Sequence, residues 1–399
     1  MERERSNEEI MALTERHVAA TYRRFPIALV RGRGAWVWDG DGKRYLDFVS
    51  GLAVCNLGHC HPAVVEALQR QAARLLHVSN LYHIEPQAEL AGLLAANSFG
   101  DKVFFCNSGA EANEAAIKLA RKYFSDRGEG RFQIITMEKS FHGRTMATLA
   151  ATGQKKVQEG FEPLLEKFVY VPFNDVEALR SALGEETAAV LVEPIQGEGG
   201  VNMPAEGYLR ELRSVCDGAG VLLIFDEVQV GMGRTGRLFA YEHFGVTPDI
   251  MTLAKGLGGG VAIGAMVATE EVARSFTAGA HASTFGGNPL ATAAGVAALK
   301  ATLEEGVLEN CRKVGAQLAQ GLERLRRRFP FIREVRALGL MMGVELDASA
   351  PDVVLRCMER GLLVNAIGER VLRLLPPLVI SGEEAECGLS VLEEVFGEL

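Results

Sequence analysis

The sequence predicts an α/β fold, in which a mostly parallel sheet is covered by helices on both faces and accompanied by a second, smaller domain. Three observations carry this. Seven short β-rich runs follow one another through the middle of the chain. Several are separated by helical patterns. The runs are apolar throughout and do not alternate, as expected of strands buried on both faces.

Taken in order, residues 1–25 are polar and read as a helix. Residues 35–48 read as a β-hairpin that turns on Asp39-Gly40-Asp41-Gly42, with alternating apolar residues on either side. The seven runs lie at 103–106, 132–136, 168–171, 188–193, 221–226, 250–254 and 263–268. The clearest helical pattern is 110–124, where Ala112, Ala115, Ala116, Leu119, Ala120 and Tyr123 recur at helical spacing. From about residue 286 the chain is mainly helical, with strand-like runs at 333–346 and 371–375. We therefore expect an N-terminal segment (1–50) that joins the small domain, a large domain (51–285) and a C-terminal small domain (286–399).

Composition narrows the function. A chain of 399 residues buries a large core without staples. Its formal charge of −9 makes it a poor generic ligand for nucleic acid. The basic stretch Arg324 to Arg328 follows a helical pattern and reads as a solvated face. The seven cysteines are odd in number and irregularly spaced, which suits free thiols in a reducing compartment. His59-Cys60-His61 reads as a turn before Pro62, not as a metal cluster, and no metal is expected. No run of about eighteen apolar residues suggests a membrane span. The acidic N-terminus fits neither a signal nor a transit peptide, so a cytoplasmic location is expected.

Three motifs carry chemistry. The run 103–106 leads into Asn107-Ser108-Gly109-Ala110-Glu111 and a helix. Such a turn offers backbone N–H groups to a phosphate at the helix N-terminus. Equally, Ser108 is an N-cap and Glu111 completes a capping box. The run 221–226 ends in Asp226-Glu227, a buried acid at a ligand-binding edge that needs a cationic partner. It lacks the Gly-x-x-x-x-Gly-Lys of an ATPase. The nearby Gly231-Met232-Gly233-Arg234-Thr235-Gly236 matches a dinucleotide fingerprint in the wrong context. Lys255 stands at the end of an apolar run before Gly256. It is either a snorkelling surface lysine or a desolvated amine able to form a Schiff base. A phosphate cradle, a buried acid and a strand-end lysine at one sheet edge are what pyridoxal 5′-phosphate requires.

With these residues in place, the sequence resembles the class III, pyridoxal-phosphate-dependent aminotransferases of fold type I, from about Phe25 to Leu378. The stretches that carry the resemblance are Asn107–Asn113, Phe141–Thr145, Glu193–Gly199, Phe225–Gln229, Ala254–Leu257 and Ser283–Pro289. Asn80–His83 and Arg373–Leu378 make it most similar to the branch acting on acetylornithine. The fold type implies a large domain with a mostly parallel seven-stranded sheet and a smaller α+β domain.

The resemblance also implies roles. Lys255 would carry the cofactor as a Schiff base and Asp226 would hold its ring nitrogen protonated. Val228 and Phe141 would sandwich the ring, and Gln229 would approach its phenolic oxygen. Ser108, Gly109 and Ala110 would hold the phosphate. Glu227, beside Asp226, is counted with the cofactor-binding residues. Thr284 would reach the phosphate of the other subunit, implying a homodimer, and Ser283 would sit beside the substrate. Arg144 would take the substrate α-carboxylate, for which its rigid fork is suited. Glu198 would cover Arg373 in one half of the reaction and uncover it for glutamate in the other.

The reaction so implied is ping-pong transfer of the terminal amine of N2-acetylornithine to 2-oxoglutarate, as in arginine biosynthesis. Ornithine-type relatives usually carry a tyrosine near the position of Leu52. An aliphatic residue there offers a free ammonium nothing, which favours an N-acylated donor. Related enzymes act on N-succinylornithine, N-succinyl-diaminopimelate, a carrier-linked lysine precursor, ornithine or 4-aminobutyrate. Two other classes stand beside this reading: a different pyridoxal-phosphate chemistry, such as an aminomutase or decarboxylase, and a nucleotide-binding module at Gly231–Gly236.

Overall fold

Strands that are apolar on both sides need cover on both faces, and the middle of the chain supplies it. The computed structural model describes residues 5–399. Seven strands form one sheet in the spatial order Lys102–Cys106, Gly264–Ala268, Ile250–Leu253, Leu222–Asp226, Thr187–Val192, Gln133–Met137 and Phe168–Val171. Neighbours are parallel except for Gly264–Ala268, which is antiparallel to both strands beside it. Every residue of Thr187–Val192 and Leu222–Asp226 is buried.

Alternate side chains feed the two faces. On one, Ile134, Leu191, Ile224 and Ile250 pack against the helix Gly109–Ser125. That helix approaches closely because Ala115, Ala116 and Ala120 line its buried side. On the other, Ile135, Val190 and Leu223 pack against the helix Tyr208–Ala219. Met251, Leu253 and Val267 pack on that side with Leu90, Leu94 and Leu299.

A second, antiparallel sheet takes Ile332–Leu338, Met341–Leu346, Val371–Leu374 and Asn365–Ile367 in that order. Its core includes Leu318, Leu372 and Leu389, and also Leu46 and Phe48 from the N-terminal segment. The connection is direct, because Leu362–Leu363 pairs in parallel with Leu46–Asp47 of the N-terminal sheet.

Several expectations need adjustment. The N-terminal helix covers only Asn7–His17, opened by a capping box between Ser6 and Glu9. Its first four expected residues lie outside the described residues. Beyond Val18, which is extended, the largely exposed chain has no apolar face to support further turns. The expected hairpin is Trp36–Asp39 with Arg44–Asp47, and Asp39 holds its turn by accepting the amides of Asp41 and Lys43. The run 333–346 is two strands, turned at Gly339 with φ 58°. The loop Gly231–Gly236 leads to no dinucleotide-type helix. Instead it buries Arg234 completely.

Arg324, Arg326 and Arg328 lie exposed on the helix Val307–Arg328 and pair with Glu386, Glu323 and Glu393. Among the described residues, no helix is long and apolar enough to cross a membrane. No group of three metal-ligating side chains gathers among them either.

His59 precedes the helix Pro62–Ala72, exchanges main-chain hydrogen bonds with Gly34 and meets Asp47 at 2.7 Å. The Asp47 hydrogen bond, with the Cys55 side chain, pushes the imidazole up to about 10. A raised folded-state value contributes stability fully below pH 6.5, lost as pH climbs through 10. Asp47→Asn should therefore lower stability by on the order of 2 kcal/mol near pH 6.5, after allowance for partial exposure. Chemical denaturation across pH 6.5–10 should show the deficit shrinking towards the alkaline end.

Candidate functional site

The C-terminal ends of five strands and the start of the antiparallel one open on a single cavity of about 480 Å³. Lys255, Asp226, Ser108, Gly109 and Ala110 line it, so the three motifs meet at one sheet edge. Phe141, Val228, Gln229, Arg144 and Glu198 line it as well.

Asp226 ends a fully buried strand and is itself 4% exposed. Its Oδ2 meets His142 Nδ1 at 2.8 Å and accepts from Asn113 Nδ2 at 2.8 Å. Its Oδ1 accepts the Val228 amide at 3.0 Å. The partners are held in turn: Thr252 Oγ1 donates to Asn113 Oδ1, and His142 Nε2 meets Thr136 Oγ1. The carboxylate is thus fixed in direction before any ligand arrives.

Lys255 follows the strand Ile250–Leu253 and opens a 3₁₀ turn with φ 45°, a left-handed conformation that is costly for a side-chain-bearing residue. Burial lowers its pKa, and Arg373 adds to this. Glu198, Asp226 and Glu193 oppose it. No hydrogen bond or ion pair among the described residues engages its amine.

Ser108 is the N-cap of its helix. Its Oγ accepts the Glu111 amide at 3.2 Å and caps the 17-residue helix. Glu111 reaches back to the amide of Asn107 at 2.5 Å, one residue short of a true capping box. The amides of Gly109 and Ala110 remain as first-turn donors without an intrahelical acceptor, at the positive end of the helix. Gly109 has to be glycine, because a Cβ there would lie 2.7 Å from Val228 Cγ1.

Arg373 lies behind the cavity wall, wholly buried. Its Nη1 donates to Glu198 Oε1 at 2.6 Å and to Gln229 Oε1 at 3.1 Å, and its Nε donates to Asn365. Its Nη2 has no partner. Burial pushes the Glu198 carboxyl up, but Arg373, with Lys255 and Gln229, holds it below the usual range. Arg144 is exposed at the mouth, 5.7 Å from the Phe141 ring centre.

Besides Arg373, three expected site residues lie outside this cavity. The Glu227 carboxylate turns away to accept the amides of Ala240 and Tyr241 at 2.6 and 2.7 Å, and burial pushes it up to about 8. Ser283 and Thr284 line a neighbouring groove with Glu111 and Phe285. Ser283 Oγ accepts there from Asn107 and from the Gly286 amide, and Thr284 is exposed.

Conversely, Asn113, His142 and Glu193 belong to the site and were assigned no role from the sequence. Glu193 follows an apolar strand just as Asp226 ends one, and that signal was legible. The other two, on a helix and in a loop, become visible only once these pack beside Asp226.

The comparisons agree with this geometry. Residues 17–396 match the family model described as aminotransferase class-III. The chain belongs to the class III aminotransferases. A curated acetylornithine aminotransferase from Caldanaerobacter subterraneus is 54% identical to this aminotransferase over 387 residues, covering 96% of this chain and 98% of the relative. One from Methanocaldococcus jannaschii is 50% identical over 395 residues, covering 99% of each. Among solved structures, acetylornithine aminotransferase from Elizabethkingia anophelis superposes with a TM-score of 0.89 at 36% identity, covering 99% of this chain and 100% of that one. Ornithine aminotransferase from Toxoplasma gondii gives 0.95 at 37%, covering 99% and 96%. The backbone alone therefore does not separate the two substrate classes.

The donor set of this aminotransferase fits pyridoxal 5′-phosphate. It combines an unpaired amine, an oriented buried carboxylate, two free first-turn amides and the side chains of Phe141 and Val228. Gly109→Ala should raise the dissociation constant for the cofactor at least tenfold by displacing Val228. Titration of the apoenzyme, followed by absorbance, measures this directly.

Proposed function

We propose that this aminotransferase moves the terminal amine of N2-acetylornithine to 2-oxoglutarate, giving N-acetylglutamate 5-semialdehyde and glutamate. The observation that carries the chemistry is the unpaired, desolvated Lys255 amine in one cavity with the anchored Asp226. The cofactor is pyridoxal 5′-phosphate, which when bound supplies an aldehyde for amines and an electron-poor ring that stabilises the neighbouring carbanion.

The chain's own residues do the rest. Asp226, oriented by Asn113 and His142, would hold a proton on the ring nitrogen. Phe141 and Val228 would hold the ring, Gln229 would lie beside it, and Ser108, Gly109 and Ala110 would take the phosphate. Burial lowers the pKa of Lys255 and favours its uncharged amine, the group that would carry a proton from the substrate carbon. Arg144, free at the mouth, takes the α-carboxylate of the donor. Glu198 neutralises Arg373 during that half. In the other half it moves aside, and Arg373 receives the α-carboxylate of glutamate.

Leu52 supports the acylated donor. It sits on a turn that leads through Ala53 to Val54 in the cavity wall, and it brings no polar group. We further infer a homodimer in which Thr284, exposed on its own protomer, completes the partner's phosphate site. Phe285 beside it and Leu81 and Tyr82 are large exposed apolar groups of the kind an interface covers. Seven free cysteines suit the cytoplasm.

The loaded enzyme, mixed with single amines and no keto acid, tests the donor. Its visible band should bleach fastest with N2-acetylornithine, ahead of ornithine, N-succinyl-diaminopimelate and 4-aminobutyrate. Faster bleaching by another of these would reassign the donor. Lys255→Ala should lose at least a thousandfold in turnover, and an active, normally coloured variant would overturn the mechanism. Sedimentation should give a dimer, with Thr284→Ala binding the cofactor more weakly.

A further inference from the structure

Glu193 is a buried carboxylate that the mechanism above does not use. It is 5% exposed, stands at the end of the strand Thr187–Val192 and pairs with no cation. Each of its oxygens accepts one main-chain amide: Oε1 that of Phe141 and Oε2 that of Gly197, both at 2.9 Å. One side chain thereby ties together two loops of the cavity wall. The first carries Phe141 and Arg144, and the second carries Glu198.

The second loop is closely packed. Its stem is closed by the reciprocal main-chain bonds of Gln196 and Asn202. A Cβ on Gly197 would overlap the Gln229 side chain, and one on Gly199 would lie 2.6 Å from the Lys139 carbonyl. Gly200 has φ 123°. Glu198 follows directly on Gly197, the residue whose amide Glu193 holds.

We propose that Glu193 is a positioning residue that fastens the pivot of Glu198, and so governs how readily Glu198 leaves Arg373. This rests on the assigned exchange between two carboxylate-bearing substrates. The structure retains the group against an electrostatic cost. Burial pushes it up to about 7, the Asp226 charge adds to this, and His142 and the two amides oppose it. Lys255 faces it across the cavity. Because the folded value is raised, ionised Glu193 costs stability as pH rises from 4.5 through 7. A carboxylate is retained there because it alone offers two oxygens that only accept, whereas glutamine would turn an NH₂ towards one of the two amides.

The test is amide hydrogen exchange over residues 194–202 in wild type and Glu193→Gln, combined with separate rates for the two half-reactions. Protection of the Gly197 amide should fall at least tenfold in the variant. In wild type, protection corrected for intrinsic exchange should fall as pH drops from 8 to 5, a readout that holds even if the variant does not fold. The ratio of kcat/KM for glutamate to that for N2-acetylornithine should shift tenfold or more towards glutamate, because a loosened Glu198 leaves Arg373 open. Unchanged protection would overturn the proposal. So would a uniform loss in both half-reactions with the ratio held within threefold. Exchange reports on the pivot even if wild type reacts with neither amine, so failure of the assigned substrate is told apart from failure of this role.

Discussion

A guanidinium without a carboxylate partner sits where the parts of this molecule meet. Arg234 is wholly buried and donates to the carbonyls of Leu340 and Pro376, to Ser50 Oγ and to Asn56 Oδ1. Burial lowers its pKa to about 10, so it remains charged at neutral pH. A buried charge is tolerated only where its hydrogen bonds are well made, and losing one partner is costly. These acceptors come from the N-terminal segment, from the second sheet's hairpin and from the stretch just past Arg373. Arg234 itself belongs to the loop that leaves the strand of Asp226. The distance from the catalytic sheet to Arg373 is therefore set by a network that cannot slide without stranding a cation.

Strain collects at the same place. Ser50, Gly51, Leu52 and Ala53 all have φ between 44° and 64°, a full left-handed turn of which only one residue is glycine. Such residues cost of order 1–3 kcal/mol each and persist only where the surroundings over-determine them. Here Asp47 accepts the amides of Val49 and Ser50, and Ser50 Oγ donates to the Leu375 carbonyl. Lys255 is a second case, at φ 45°. Both strained points border the cavity. The fold gives up stability where the walls of the cavity are set.

The sequence was most legible where one physical requirement dominates. Strands buried on both faces must be apolar from end to end, and all seven observed strands lie within one or two residues of their expected limits. Charged residues placed at the ends of such strands stood out, which is how Asp226 and Lys255 were found. Glu227 lies just past the strand of Asp226, and its carboxylate is taken up by the amides of Ala240 and Tyr241, which nothing in the local sequence announces. Asn113 and His142 were hidden because nothing in their spacing ties residue 113 or 142 to residue 226. Only the packing of the helix Gly109–Ser125 and of the loop after Gln133–Met137 beside Asp226 does. The N-terminal helix was overextended because polar composition permits a helix without supplying a face to hold one.

The parallel pairing of Leu362–Leu363 with Leu46–Asp47 joins segments more than three hundred residues apart. During synthesis, the N-terminal hairpin must therefore wait until nearly the whole chain has left the ribosome. At about 5–20 residues per second that interval lasts tens of seconds. Throughout it the Arg44–Asp47 strand has an unpaired edge, and Leu46 and Phe48 lack the core that later buries them. The nascent chain can complete its seven-stranded sheet first, which leaves the N-terminal segment as the part most exposed to mispairing with another chain and most in need of chaperone cover.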